Sequence, residues 1–270
     1  MKTVFLVVVS LFLSLGINAQ IFWISNLNAA KKTAKDSGKL LVIDFWADWC
    51  EPCNVMDGKL WTSDVSSKFA KNFEAAKIDI DADKSTAAFY SVKVIPMVVI
   101  ALSDGTKLWE KVGFSSATEY IEALNSIPPD VSQLYASLDL IAGHEKETDA
   151  NLKVGIEYQK LGKQATNRSL KTTFIPEGTK YFKKALKSAA DPKQKEAIGL
   201  YLALNDIYYG NPEKAMKNFT KDFVSAESCQ NKDLAHFLLA SCYKSMNDVQ
   251  NFEKEKSLIS DAELLSQLAQ

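Results

Sequence analysis

One short stretch constrains this chain more than any other. Leu40 to Phe45 is a β-branched, apolar run of strand length, and it leads within a few residues into Trp49-Cys50-Glu51-Pro52-Cys53. Two Cys separated by two residues, where a strand ends and a helix begins, allow three readings. The pair is half of a zinc site, a short structural disulfide, or a redox couple. Zinc requires four ligands, commonly two such pairs or a Cys pair with a His pair. The next Cys in the chain is Cys229, and His144 and His236 also lie far along it. No metal site is therefore expected. A redox couple gains from its place at a helix start, where the dipole and unpaired backbone N–H groups favour a thiolate on Cys50. Cys50 is then the exposed nucleophile and Cys53, one turn in, the buried resolving thiol. Pro52 suits a helix start, because its missing N–H costs nothing there.

The flanking pattern defines an α/β unit. A helix is expected over Asn26 to Asp36, stopped by Ser37-Gly38, ahead of the Leu40 strand. After the Cys pair, the spacing predicts helices over Asn54–Trp61 and Asp64–Asn72, a strand over Phe73–Ile80 and a helix over Lys84–Tyr90. Met97–Leu102 and Thr106–Val112 flank Ser103-Asp104-Gly105 as a hairpin. Ser116 to Glu119 reads as a capping box opening a helix to Asn125. This order makes a mixed sheet flanked by helices. Pro128-Pro129 breaks both kinds of element, so the segment 128–130 is the expected linker between a domain over 20–127 and one over 131–270.

Beyond the prolines the apolar spacing is helical throughout. Leu200 to Phe219 and His236 to Glu255 look alike: an apolar helix, a turn containing Asn, then a charged helix. Leu152–Gly162 with Gly178–Ala189 reads as a degenerate third copy. Gly210 to Ala215 resembles the turn of a tetratricopeptide (TPR) repeat, so a TPR-like domain is expected. Cys229 and Cys242 lie in this half, either as a structural disulfide across two antiparallel helices or as buried free thiols. His144 reads as a surface residue and His236 as a helix-core residue.

Residues 1–19 have a positive start, an apolar run from Val4 to Leu15 and a small residue at Ala19, the pattern of a signal peptide cleaved there. The remainder carries no segment apolar enough to span a membrane. Lys+Arg 32 against Asp+Glu 33 gives a net charge of -1. That balance gives no hint of the basic face that a nucleic-acid partner would need.

The run Val42 to Cys53, VIDFWADWCEPC, resembles the active-site segment of the thioredoxin superfamily, and the likeness extends over Ile21 to Ser126. The stretch Cys53 to Phe69 departs from small thioredoxins and is closer to the C-terminal domain of DsbD and related exported proteins. The resemblance implies a thioredoxin-like fold and exchange of disulfides with protein substrates through a Cys50–Cys53 disulfide, without cofactor. It implies that Asp44 is a buried acid beneath the pair, accompanied by Lys77, and that Asp44 takes the proton of Cys53 through water. Pro96 is then a cis-proline, with Ile95 offering backbone to an extended substrate. Trp49 and Gly113 belong to the docking surface, and Met97 stands where many relatives have Thr.

Glu51 stands where small thioredoxins commonly carry Gly. Its charge opposes a Cys50 thiolate, making the reduced form costlier and the pair reducing. The expected setting is a bacterial periplasm, with an electron donor or acceptor in the envelope and a protein partner for the helical half. A peptide-binding adaptor or chaperone, or a disulfide isomerase, is the competing reading.

Overall fold

The computed structural model describes residues 21–223 and 225–269; the signal peptide expected over 1–19 lies outside them. Five strands form one sheet: β1 (Trp23–Ile24), β2 (Leu40–Trp46), β3 (Phe73–Asp79), β4 (Met97–Ala101) and β5 (Lys107–Val112). Their spatial order is β1-β3-β2-β4-β5. β1 and β2 pair parallel to β3, whereas β4 pairs antiparallel to both β2 and β5. The sheet is therefore mixed, as the alternation of strands and helices requires.

Helix α1 (Leu27–Ser37) follows its reading closely. Asn26 caps its first turn and Gly38, at φ 67°, ends it in the left-handed conformation. Helix α2 (Glu51–Lys59) starts earlier than read, because Cys50 is itself the N-cap residue. The expected helix over Asp64–Asn72 is broken. A single turn, α3 (Ser63–Ser66), and a 3-10 turn at Ala70–Asn72 replace it. Phe69 sits between them, fully buried against Trp61 and Phe73, and a continuous helix would not hold that inward turn. α4 (Lys84–Phe89) and α5 (Ala117–Asn125) complete this half. The capping box at Ser116 does not form. Glu119 is instead drawn to Lys111 on β5 and accepts a hydrogen bond from Ser115. The two-residue β1 escaped the sequence reading, as it is too short to show a period.

β2 is buried on both faces, and its alternation sorts the core. Leu40 and Val42 join Met56, Leu60 and Trp61 on one face, whereas Leu41, Ile43 and Phe45 pack with Ala30, Ala34 and Tyr90 on the other. Asp44 shares the parity of Leu40 and Val42. The β2–β3 register sets Lys77 beside it on the same face.

The rest of the described chain is helical: α6 (Ser132–Ile141), α7 (Thr148–Gln164), α8 (Arg168–Ser188), α9 (Pro192–Tyr208), α10 (Pro212–Asp222), α11 (Lys232–Ser245), α12 (Val249–Ser257) and α13 (Ala262–Ala269). α6 docks on the sheet half. The Tyr135 hydroxyl accepts from the Ser103 backbone N–H at 3.0 Å and donates to the Lys39 carbonyl at 2.8 Å. One apolar cluster runs from Val98, Ile100 and Tyr120 through Ile127 and Leu134 to Tyr158 and Phe174. A second, from Leu200 to Leu268, holds the last helices.

α8 begins before the expected Gly178 start and continues through Pro176. Three glycines at its crossing with α7 compensate for the hydrogen bond that Pro176 removes, by letting the two backbones approach. A Cβ on Gly178 would lie 2.9 Å from the Gly155 carbonyl oxygen, and one on Gly155 would lie 2.6 Å from the Phe182 ring. Gly178→Ala should therefore destabilise the helical half by about 1–3 kcal/mol, read as a lower urea midpoint. An unchanged midpoint would mean that this crossing is not tight.

Cys229 and Cys242 are buried free thiols. They do not face each other across two antiparallel helices. Cys229 follows the 3-10 turn at Ala226–Ser228, whereas Cys242 lies inside α11 and points at the Pro212 carbonyl. His144 is exposed beside Glu147, and His236 is buried between Glu227 and Glu255.

Candidate active site

Strand β2 delivers the chain to the sheet edge at Trp46, and Ala47 to Trp49 turn it into α2. Cys50 and Cys53 form a disulfide with Cα atoms 5.3 Å apart. The Cys50 sulfur accepts a hydrogen bond from the Cys53 backbone N–H at 3.2 Å, an N–H in the first turn of α2 that is shared with the Cys50 carbonyl at 3.1 Å. Both sulfurs pack with Ala47, Trp46, Ile80 and Ile95. Cys50 is 3% exposed and Cys53 1%. The exposed nucleophile expected at Cys50 is thus corrected to a nearly covered one, because this apolar collar closes over the pair.

The collar's rim carries the other expected residues. The Ile95–Pro96 peptide bond is cis, Pro96 is buried and Ile95 touches the disulfide cluster. The Gly113 N–H donates to the Pro96 carbonyl at 2.8 Å, which ties the end of β5 to that loop, and Gly113 takes φ 74°. Met97 is buried as the first residue of β4. Trp49 is 67% exposed, held by a 2.8 Å hydrogen bond from its indole Nε1–H to Asp81. Val94 and Val112 are also exposed apolar residues on the segments leading to the loop and to Gly113. Glu51 and Pro52 occupy the first two positions of α2, with Glu51 in solvent.

Beneath the pair, on the α2 face of the sheet, Asp44 is completely buried. One of its carboxylate oxygens accepts from the Trp61 indole at 3.2 Å and lies 3.6 Å from the Lys77 ammonium. The other, Oδ1, has no partner. Burial pushes the Asp44 carboxyl up to about 7; Lys77 opposes that rise and the nearby Asp57 charge adds to it. A group poised there holds or releases a proton near neutrality.

Lys77 does not have Asp44 as its main partner. Its ammonium contacts both oxygens of Asp57, at 2.5 and 2.6 Å, and lies 5.5 and 5.2 Å from the ring centroids of Trp23 and Trp46. Asp57 and Trp61 escaped the sequence reading as members of the site. One signal was present: Asp57 stands four residues after Cys53, on the same face of α2. Trp61 offered none, because it lies beyond the helix and reaches Asp44 only through the fold. Asp81 is likewise a partner that only the turn after β3 brings to Trp49.

A disulfide at a helix N-terminus, packed against a cis-proline loop and set above a buried acid that titrates near neutrality, defines a thiol–disulfide oxidoreductase. The comparisons agree. The Thioredoxin family model matches residues 23–126. An H-type thioredoxin of Fagopyrum esculentum is 41% identical over 86 residues, covering 32% of this chain and 71% of that protein. A thioredoxin of Buchnera aphidicola is 30% identical over 95 residues, covering 35% of this chain and 84% of that one. A crystal structure of mitochondrial thioredoxin 3 from Saccharomyces cerevisiae in its oxidized form is 26% identical, covers 38% of this chain and 92% of its own, and has a TM-score of 0.33. The chain belongs to the thioredoxin family.

Proposed function

We propose that this chain is an exported thiol–disulfide oxidoreductase that reduces protein disulfides, with Cys50 as nucleophile and Cys53 as resolving thiol. The observation that carries the reading is the Cys50–Cys53 disulfide at the start of α2, packed against Ile95 of the cis-proline loop. In each cycle the Cys50 thiolate attacks a substrate disulfide, forming a mixed disulfide and releasing one substrate thiolate. Cys53, having given its proton to Asp44, then attacks the Cys50 sulfur. The Cys50–Cys53 bond forms and the second substrate thiolate leaves and is protonated. The substrate gains two electrons and the pair loses two, so an external dithiol donor must restore it. Ile95, Trp49 and Gly113 contact the substrate backbone in this reading. Export to a bacterial periplasm rests on the pattern of residues 1–19, and the kinship with the C-terminal domain of DsbD on the Cys53–Phe69 stretch. Among the described residues no helix is long and apolar enough to cross a membrane.

The helical half serves partner choice. α7, α9, α11 and α13 together line a groove of about 760 Å3, with Ile156, Tyr201, Leu204 and Phe237 on its walls. Its three helical hairpins, α7–α8, α9–α10 and α11–α12, have the order of TPR-like pairs.

Two measurements test the reading. Reduction of insulin disulfides by the protein with a dithiol donor should be rapid and should vanish in Cys50→Ser; equal rates in both would end it. The reduction potential should lie near about −270 mV, and a value of about −120 to −180 mV would make the protein an oxidant or isomerase instead. Glu51→Gln should raise that potential by ~5–20 mV, the effect of one exposed charge. A fall would show that Glu51 does not disfavour the thiolate.

A further inference from the structure

The buried acid and its lysine are joined by a third charged group that neither the family likeness nor the motif required. Asp57 projects from α2 one turn beyond Cys53, with its side chain 37% exposed, and grips the Lys77 ammonium with both oxygens. The Asp44 oxygen nearest that ammonium is about 1 Å farther from it, and the second Asp44 oxygen is unpartnered and shut off from water. Lys77 is thus committed to the outer carboxylate, at the expense of the inner one.

We propose that Asp57 is a positioning residue of the exchange site: by holding the Lys77 ammonium toward solvent, it denies the buried Asp44 carboxylate its counter-ion and so makes Asp44 the stronger proton acceptor under Cys53. This rests on the reading of Cys50–Cys53 as the exchanging pair, whose resolving step needs a proton acceptor under Cys53.

The physical argument has two parts of the same sign. An ammonium in close contact stabilises a buried carboxylate, so moving it outward removes stabilisation from ionised Asp44. The Asp57 charge itself adds repulsion, which raises Asp44 further. The remaining groups around Asp44 do not replace the ammonium. Trp61 donates one neutral hydrogen bond from the segment after α2. Tyr120 on α5 is held neutral by burial and uses its hydroxyl on the Gly113 carbonyl. Lys111 on β5 is taken by Glu119. Val98, opposite Asp44 on β4, carries no charge.

Removing Asp57 frees Lys77, which the rings of Trp23 and Trp46 keep in place, to close on Asp44. The test is the titration of the Asp44 carboxyl, followed by its infrared C=O band as the difference between each protein and its Asp44→Asn counterpart. In Asp57→Asn the midpoint should fall by about one to three pH units, the effect of an opposite charge brought into contact. Asp57→Glu should restore most of it. Lys77→Met should raise the midpoint, and adding Asp57→Asn to Lys77→Met should recover only the smaller repulsive part. The acid limb that Asp44 sets, as the base, in the pH profile of disulfide reduction should move with the band. An unchanged midpoint in Asp57→Asn would overturn the proposal, as would an equal fall in the presence and absence of Lys77. Because the band is read without substrate, these outcomes are separate from the insulin assay, whose failure would strike the exchange reading alone.

Discussion

Cys53→Ala should convert the protein into a trap that stays covalently joined to its substrates through Cys50. Cys50 is the N-cap of α2 and its sulfur already receives the Cys53 N–H at 3.2 Å, so its thiolate is met by a preformed donor and the helix dipole. Cys53 has no such donor among the hydrogen bonds of the site and is the more covered of the two. Attack through Cys50 therefore proceeds in the variant, whereas the step that releases the substrate has lost its nucleophile. Incubation with an oxidised protein substrate, followed by non-reducing electrophoresis and peptide mass mapping, should give an adduct at Cys50. Cys50→Ser should give none. The other thiols do not compete. Burial raises Cys229 and pushes Cys242 up to about 12, which leaves about one part in 10⁵ of Cys242 ionised at pH 7. An adduct at either of them, or no adduct at all, would refute the assignment of roles.

The second large effect is on stability. Asp44→Asn should stabilise the protein at pH 8 by as much as about 4 kcal/mol and leave it nearly unchanged at pH 4. The carboxyl is raised from 3.8 to about 7 in the folded protein, so between those values the native state holds a proton that the unfolded chain has lost. Stability from this group consequently falls as pH rises through that window, by about 1.4 kcal/mol for each pH unit of displacement, and stays low above it. Asn keeps the size and an acceptor for the Trp61 indole while removing the buried charge. Lys77 loses little, since Asp57 holds it. Urea unfolding of both proteins across pH 4 to 8 measures the difference directly. A stabilisation independent of pH would show that Asp44 is not the titrating group. The same substitution should slow disulfide reduction, by on the order of 10²-fold if Asp44 serves as the general base for Cys53. A gain in stability with a loss in rate is what a residue kept for chemistry should show.

Much of the α/β half was legible because its signals are local. Apolar runs of strand length, Gly38 after a Lys-rich helix and Ser103-Asp104-Gly105 between two strands each carry their own conformational cause, and α1, β2, β3, β4 and β5 follow them. The failures share a different cause. Phe69 interrupts an expected helix because its ring is needed in the core, and Glu119 abandons a capping box because Lys111 on a neighbouring strand offers a charge. Both are tertiary choices overriding a local preference of about 1 kcal/mol. The length of α8 is similar: Pro176 argues against a helix locally, and the glycine-lined contact with α7 outweighs it.

The site divides along the same line. The sequence by itself determined the Cys pair at a helix start, because that short segment's residue types already state their chemistry; the acid in the strand before it and the proline on the opposing loop were legible only through the likeness of their segments to thioredoxins. Which carboxylate holds Lys77, that Trp61 reaches Asp44, that Asp81 fixes Trp49 and that an apolar collar nearly covers Cys50 were decided only by the tertiary structure. Each is a contact between residues far apart in the chain or on different elements, settled by strand register, helix phase and burial. A 1 Å difference in where an ammonium sits moves the proton of a buried acid, and no pattern along the chain encodes that distance.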